Sequence, residues 1–67
     1  MYELDMTEEE FKNFIKKVKV RMLELEITER DLARKVGYST STIYGFFAGR
    51  YSRFLAAAIS KELGVKK

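Results

Sequence analysis

Residues 28–49, Thr-Glu-Arg-Asp-Leu-Ala-Arg-Lys-Val-Gly-Tyr-Ser-Thr-Ser-Thr-Ile-Tyr-Gly-Phe-Phe-Ala-Gly, constrain the fold more than any other stretch of the chain. A hydroxyl residue opens each half, and a glycine closes it. Thr28 precedes Glu29 and has Asp31 three places on, the spacing at which a capping threonine and an acid satisfy each other's backbone N–H groups. Leu32, Ala33 and Val36 then share the inward side of a short helix, and Gly37 supplies the left-handed residue that stops it. Ala33 is small where two helices must cross closely. Ser39 restarts the chain as the cap of a helix over 40–48, whose Ile43, Phe46 and Phe47 fall at i, i+3 and i+4. Gly49 ends it.

Upstream, Thr7 begins Thr-Glu-Glu-Glu, so that Thr7 can accept from the N–H of Glu10 while Glu10 reaches back. Met6 and Phe11 stand where a hydrophobic staple packs. Three glutamates in the first turn complement the positive end of a helix, and the lysines come later. The pattern predicts a first helix over 8–25. At the helical period Phe11, Phe14, Ile15, Val18, Met22 and Leu25 form one stripe, its expected buried face. Val20 and Leu23 fall off that stripe; with Ile27 they are available to helix two or to a partner subunit. Downstream, Ser52 caps a fourth helix over about 53–63, with Leu55, Ile59 and Leu63 inward, Ala56 or Ala58 beside them, and Gly64 closing. No proline, repeat or low-complexity stretch interrupts these elements. The expected fold is all-α: a compact four-helix domain with an extended first helix and no sheet. It forms one domain over 1–67, led by a flexible acidic segment over 1–6.

What the chain lacks narrows its chemistry. It has no Cys and no His, which excludes disulfides, zinc fingers and thiol or imidazole catalysis. Its ten carboxylates come without a nucleophile–base pairing, a phosphate loop or metal-ligand spacing, so neither an enzyme nor a cofactor is expected. No small-molecule ligand is expected either. A domain of 67 residues without staples must rely on apolar packing, and the 46% hydrophobic content suits that. No apolar run approaches the ~18 residues that span a bilayer, and the acidic start is wrong for a signal peptide. A soluble, cytoplasmic protein with no membrane partner is expected.

The formal charge of +3 conceals a segregation. Residues 1–10 carry five acids and no base, whereas residues 32–61 carry Arg34, Lys35, Arg50, Arg53 and Lys61 and no acid. A polyanion would be drawn to one end of such a molecule and repelled by the other. The third helix lies inside the acid-free stretch. Opposite its apolar face stand Thr40, Ser41, Tyr44 and Gly45, small or polar and uncharged. Hydroxyls can donate to and accept from base edges, and a threonine methyl can meet a thymine methyl. Gly45 costs a helix about 1 kcal/mol relative to alanine, a cost easier to understand where something must approach the backbone closely.

Leu32-Ala33-Arg34-Lys35-Val36-Gly37, then Ser39, Thr42-Ile43 and Gly49, resemble the helix-turn-helix of the lambda-repressor and Cro-like family of phage and bacterial regulators. Arg53-Phe54-Leu55 and Leu63-Gly64-Val65 are similar to that family's fourth helix. The resemblance covers roughly residues 18–65, and its signature is specific as a set rather than piece by piece. It implies a helical domain that binds double-stranded operator DNA, usually as a homodimer on a near-palindrome. Base contacts would fall on Thr40, Ser41, Tyr44 and Gly45. Phosphate contacts would fall near Ala48, Arg50 and Arg53, joined on grounds of charge and position by Arg34, Lys35 and Ser39.

Three departures accompany the likeness. Glu29, an anion, stands where many members have a phosphate-binding glutamine, so that contact is not carried over. Met22 and Phe47 occupy the positions of a common buried Arg–Glu pair, a coupled apolar replacement that is often neutral or stabilising. Within these 67 residues no counterpart is expected of the fifth helix or terminal strand that commonly builds the dimer. The leading expectation is a sequence-specific DNA-binding regulator of a phage or mobile element. The alternative is a protein-interaction module, such as an antirepressor or inhibitor, using Tyr44, Phe46, Tyr51 and Phe54 as an aromatic patch.

Overall fold

Four hydroxyl side chains punctuate the chain into helices. In the computed structural model, which describes residues 6–66, these are α1 (Glu8–Leu25), α2 (Glu29–Val36), α3 (Thr40–Phe47) and α4 (Arg53–Leu63). No strand occurs among the described residues. Thr7, Thr28, Ser39 and Ser52 each accept a hydrogen bond from the N–H three residues on. Glu10 and Asp31 complete reciprocal capping boxes, accepting from the N–H of Thr7 at 2.9 Å and of Thr28 at 3.0 Å. The expected acidic lead lies outside the described residues, apart from Met6, which packs against the core.

The helices also end alike. The N–H of Ile27, Tyr38, Arg50 and Val65 each bonds the carbonyl five residues back, on Met22, Ala33, Gly45 and Ser60. This closure turns the chain sharply and needs a left-handed residue just past the helix. Gly37 meets that need at φ 79°, but α1 meets it with Glu26, at φ 57°. α3 stops at Phe47, one residue earlier than its spacing suggested, with Ala48 as its cap.

α2 packs on α3, and α4 packs against both α2 and α1. Phe14, Val18, Leu32, Ile43, Phe46, Leu55, Ala56 and Ile59 lie fully inside, and every buried side chain among the described residues is apolar. α1 meets α3 through aromatic rings: Phe11 and Phe46 stand edge to face at 5.0 Å, Phe14 and Phe46 at 6.5 Å. Such pairs contribute about 0.5–1.5 kcal/mol each beyond area burial. The Cα radius of gyration, 10.7 Å, matches the roughly 11 Å expected of a folded chain this long.

Three α1 residues differ from the expectation or extend it. Leu25 is 43% exposed rather than buried. The chain has already begun to reverse there, and Ile27 folds back onto the core in its place, as the last residue of such a helix ending usually does. Arg21 on α1 donates from Nε to the carbonyl of Leu63 at 3.1 Å, and Lys17 from Nζ to that of Lys66 at 3.3 Å. Arg21 there satisfies a carbonyl left open at the negative end of α4, and Lys17 bonds one in the chain just beyond it. Met22 is buried as expected, while Phe47 packs at the core edge with the Lys19 ammonium 5.8 Å above its ring.

Candidate nucleic-acid interface

α3 starts as its sequence demands. Ser39 is extended (φ −75°, ψ 155°) and accepts from the N–H of Thr42 at 3.2 Å. Its hydroxyl also shares a hydrogen with that of Thr42 at 2.8 Å. Ser39 is exposed but engaged within its own turn, which leaves it less to offer a phosphate than its position alone suggested. Ser41 is exposed, Tyr44 is 56% exposed, and Thr40 and Gly45 are half-buried. Of the uncharged residues singled out on α3, Ser41 and Tyr44 therefore face away from the buried Ile43 and Phe46, while Thr40 and Gly45 are only partly exposed.

Gly45 is not required by the protein itself. A Cβ placed on it would meet no atom within 4 Å, and its φ is not in the left-handed region. Its backbone does serve the fold, because its carbonyl accepts from the N–H of Arg50 at 2.9 Å. Alanine would accept that bond equally well.

The helix starts divide into two kinds. α1 and α2 carry acids in the first turn; α3 and α4 carry none. Glu29 belongs to the first kind and complements the positive end of α2. Arg53 does the reverse, placing a cation at the positive end of α4, where a helix gains nothing from it. Its guanidinium lies over the ring of Phe54 at 5.3 Å. Arg34 and Lys35, both exposed, occupy the last turn of α2 immediately before the connection that starts α3. Arg50, also exposed, lies just beyond the end of α3. Exposed cations thus bracket α3 along the chain, and the uncompensated N–H groups at its start can receive an anion.

The Asp31 carboxyl titrates below the usual carboxylate range, because it accepts from the backbone and hydroxyl of Thr28 and lies near Arg34 and Lys35. The α2 capping box therefore stays charged and intact at neutral pH.

The aromatic patch proposed from the sequence is not assembled. Phe46 is in the core, and Tyr51 is half-buried with its ring 5.2 Å from that of Phe11. Only Tyr44 and Phe54 of that set are exposed, Phe54 to 61%. Conversely, a second basic element was overlooked. Lys12, Lys16, Lys17, Lys19 and Arg21 follow one another on α1 with no acid between Phe11 and Leu23. Lys12, Lys16 and Lys19 line a groove with Phe47, Ala48 and Gly49 at the end of α3, and Glu8 and Glu9 line it too. Their helical spacing was readable; the acids at the start of the same helix obscured it.

Among the described residues no helix is long and apolar enough to cross a membrane. Compared with known proteins, the chain matches no family model, no curated protein and no solved structure.

Proposed function

We propose that the protein binds double-stranded DNA in a sequence-dependent way, laying α3 in the major groove as the second helix of a helix-turn-helix. In this reading it is a transcriptional regulator of the phage or mobile-element kind. The observation that carries the proposal is the start of α3. An acid-free helix end presents Thr40, Ser41 and Tyr44, with exposed Arg34, Lys35, Arg50 and Arg53 before and after it. Cations of this kind position a protein on the phosphates, and small hydroxyl side chains read base edges. The resemblance of residues 18–65 to the Cro-like regulators supports the same role. An aromatic protein-docking patch has less to stand on, since Phe46 is core.

Selection of bound sites from a random duplex pool supplies the test. The wild type should enrich a defined site. Replacing Thr40 and Ser41 together by alanine should flatten its preference while leaving non-specific affinity nearly unchanged. Each hydroxyl should account for at most the ~1–3 kcal/mol of a bidentate contact. A double variant that keeps full discrimination would remove α3 as the reading element.

A further inference from the structure

The groove between α1 and the end of α3 carries a row of cations that the reading of α3 leaves unused. Lys12, Lys16 and Lys19 stand at i, i+4 and i+7, so they share one side of α1. All three are exposed, and neither Lys12 nor Lys16 is paired with an acid among the described residues. The Lys19 ammonium lies over the Phe47 ring, a contact that sets one end of the row against the last residue of α3. Phe47, Ala48 and Gly49, all uncharged, line the groove on the α3 side.

The groove continues the outward side of α3. Ser41, Tyr44 and Ala48 follow at i, i+3 and i+7 and are all exposed. Ala48 also lines the groove, so a strand leaving that side of α3 meets the lysines next. A nucleic-acid strand carries charge at short, regular intervals, which a row of unpaired cations along a helix can neutralise. We propose that the sugar–phosphate strand flanking the site held by α3 lies in this groove, with Lys12, Lys16 and Lys19 on its phosphates. The contact rests on the proposed role of α3 in binding DNA. The likeness to Cro-like regulators does not supply it, because Lys12 and Lys16 precede residues 18–65.

Acids bound the contact. Glu8 and Glu9 also line the groove, ahead of Lys12 on α1. They repel a phosphate, so the strand is held from Lys12 onward and turned away at the start of the helix. Glu10 is engaged with the N–H of Thr7. Lys17 stands next to Lys16 in sequence but lines a different groove, where its Nζ bonds the carbonyl of Lys66. It therefore serves as a control.

Anisotropy titrations of the full chain across a salt series provide the test, with two labelled duplexes: the site that the wild type selects and a mixed sequence. Exchanging Lys12, Lys16 and Lys19 together for glutamine should weaken both by more than about tenfold at about 0.1 M salt. The slope of log affinity against log salt should fall by about two to three units. Glutamine is a comparable helix former, so helical circular dichroism should match the wild type. The same exchange at Lys17, Lys61 and Lys66 removes equal charge outside the groove and should move the slope by less than about half a unit. Glu8→Gln combined with Glu9→Gln should tighten binding about threefold, a gain that unfolding cannot produce. A groove variant with wild-type affinity and slope overturns the proposal and leaves α3 as the reading helix. So does equal loss from the two triple variants, which reduces the effect to net charge. If the groove variant unfolds, the Glu8 and Glu9 exchange decides, and binding that it leaves unchanged or weaker overturns the proposal. A wild type that binds neither duplex removes the role of α3 and this contact with it.

Discussion

At the scale of single residues, Glu26 is the one described side chain held at a φ where L-residues are disfavoured. It is there because α1 must close on Met22 and turn toward Thr28, and no glycine stands at that place. A left-handed residue with a Cβ costs roughly 1–2 kcal/mol, and glycine returns part of that saving through its freer unfolded chain. Glu26→Gly should therefore stabilise the domain by about 0.5 kcal/mol. A urea midpoint that fell would show the strain to be absent. Asp31 makes a prediction of the opposite kind. Its folded pKa is depressed by the bonds from Thr28 and by Arg34 and Lys35, so its contribution is complete above the ordinary carboxylate pKa. That contribution is lost as pH falls through the folded value. Asp31→Asn should flatten the acid limb of the stability–pH profile; an unchanged limb would mean that the box does not tighten the native state.

At the scale of elements, what could be read in the chain is what is local. Thr7, Thr28, Ser39 and Ser52 cap their helices because a hydroxyl needs only the N–H three residues on, and those bonds form wherever the helix goes. What could not be read depends on neighbours distant in sequence. A helical wheel puts Leu25 inside, but burial there depends on where the chain turns next. Phe46 and Tyr51 fitted either a core or a patch until the place of Phe11 was known. The acid-free start of α3 and the cations around it were readable as residues. That Ser39 spends its hydroxyl on Thr42, and that Gly45 faces open space, were not. Arg21 is the clearest case, since its acceptor on α4 lies 42 residues away. Its bond ties the first helix to the last, and Arg21→Ala should cost about 1 kcal/mol and speed amide exchange at the end of α4. Lys16→Ala, on the same helix, should stay within about 0.5 kcal/mol of wild type. Equal losses from the two would reduce Arg21 to a solvated charge.

For the whole molecule, charge is laid out against a core that holds none. Acids gather at the start of α1 and bases around α3. If α3 lies on DNA, replacing Arg34, Arg50 or Arg53 by alanine should weaken binding to all duplexes about equally. Each loss should reduce the slope of log affinity against log salt by about one unit. Titrations at several salt concentrations measure this, and a slope unmoved by all three substitutions would place the phosphates elsewhere. The core beneath is purely apolar among the described residues, and none of its side chains is one that α3 shows to solvent, in part at 40 and openly at 41 and 44. Folding and surface chemistry are thus written in different letters of the same short helix. A lineage carrying this chain can exchange those outward letters one at a time, each a single inherited step, while the packing that keeps every intermediate viable is passed on untouched.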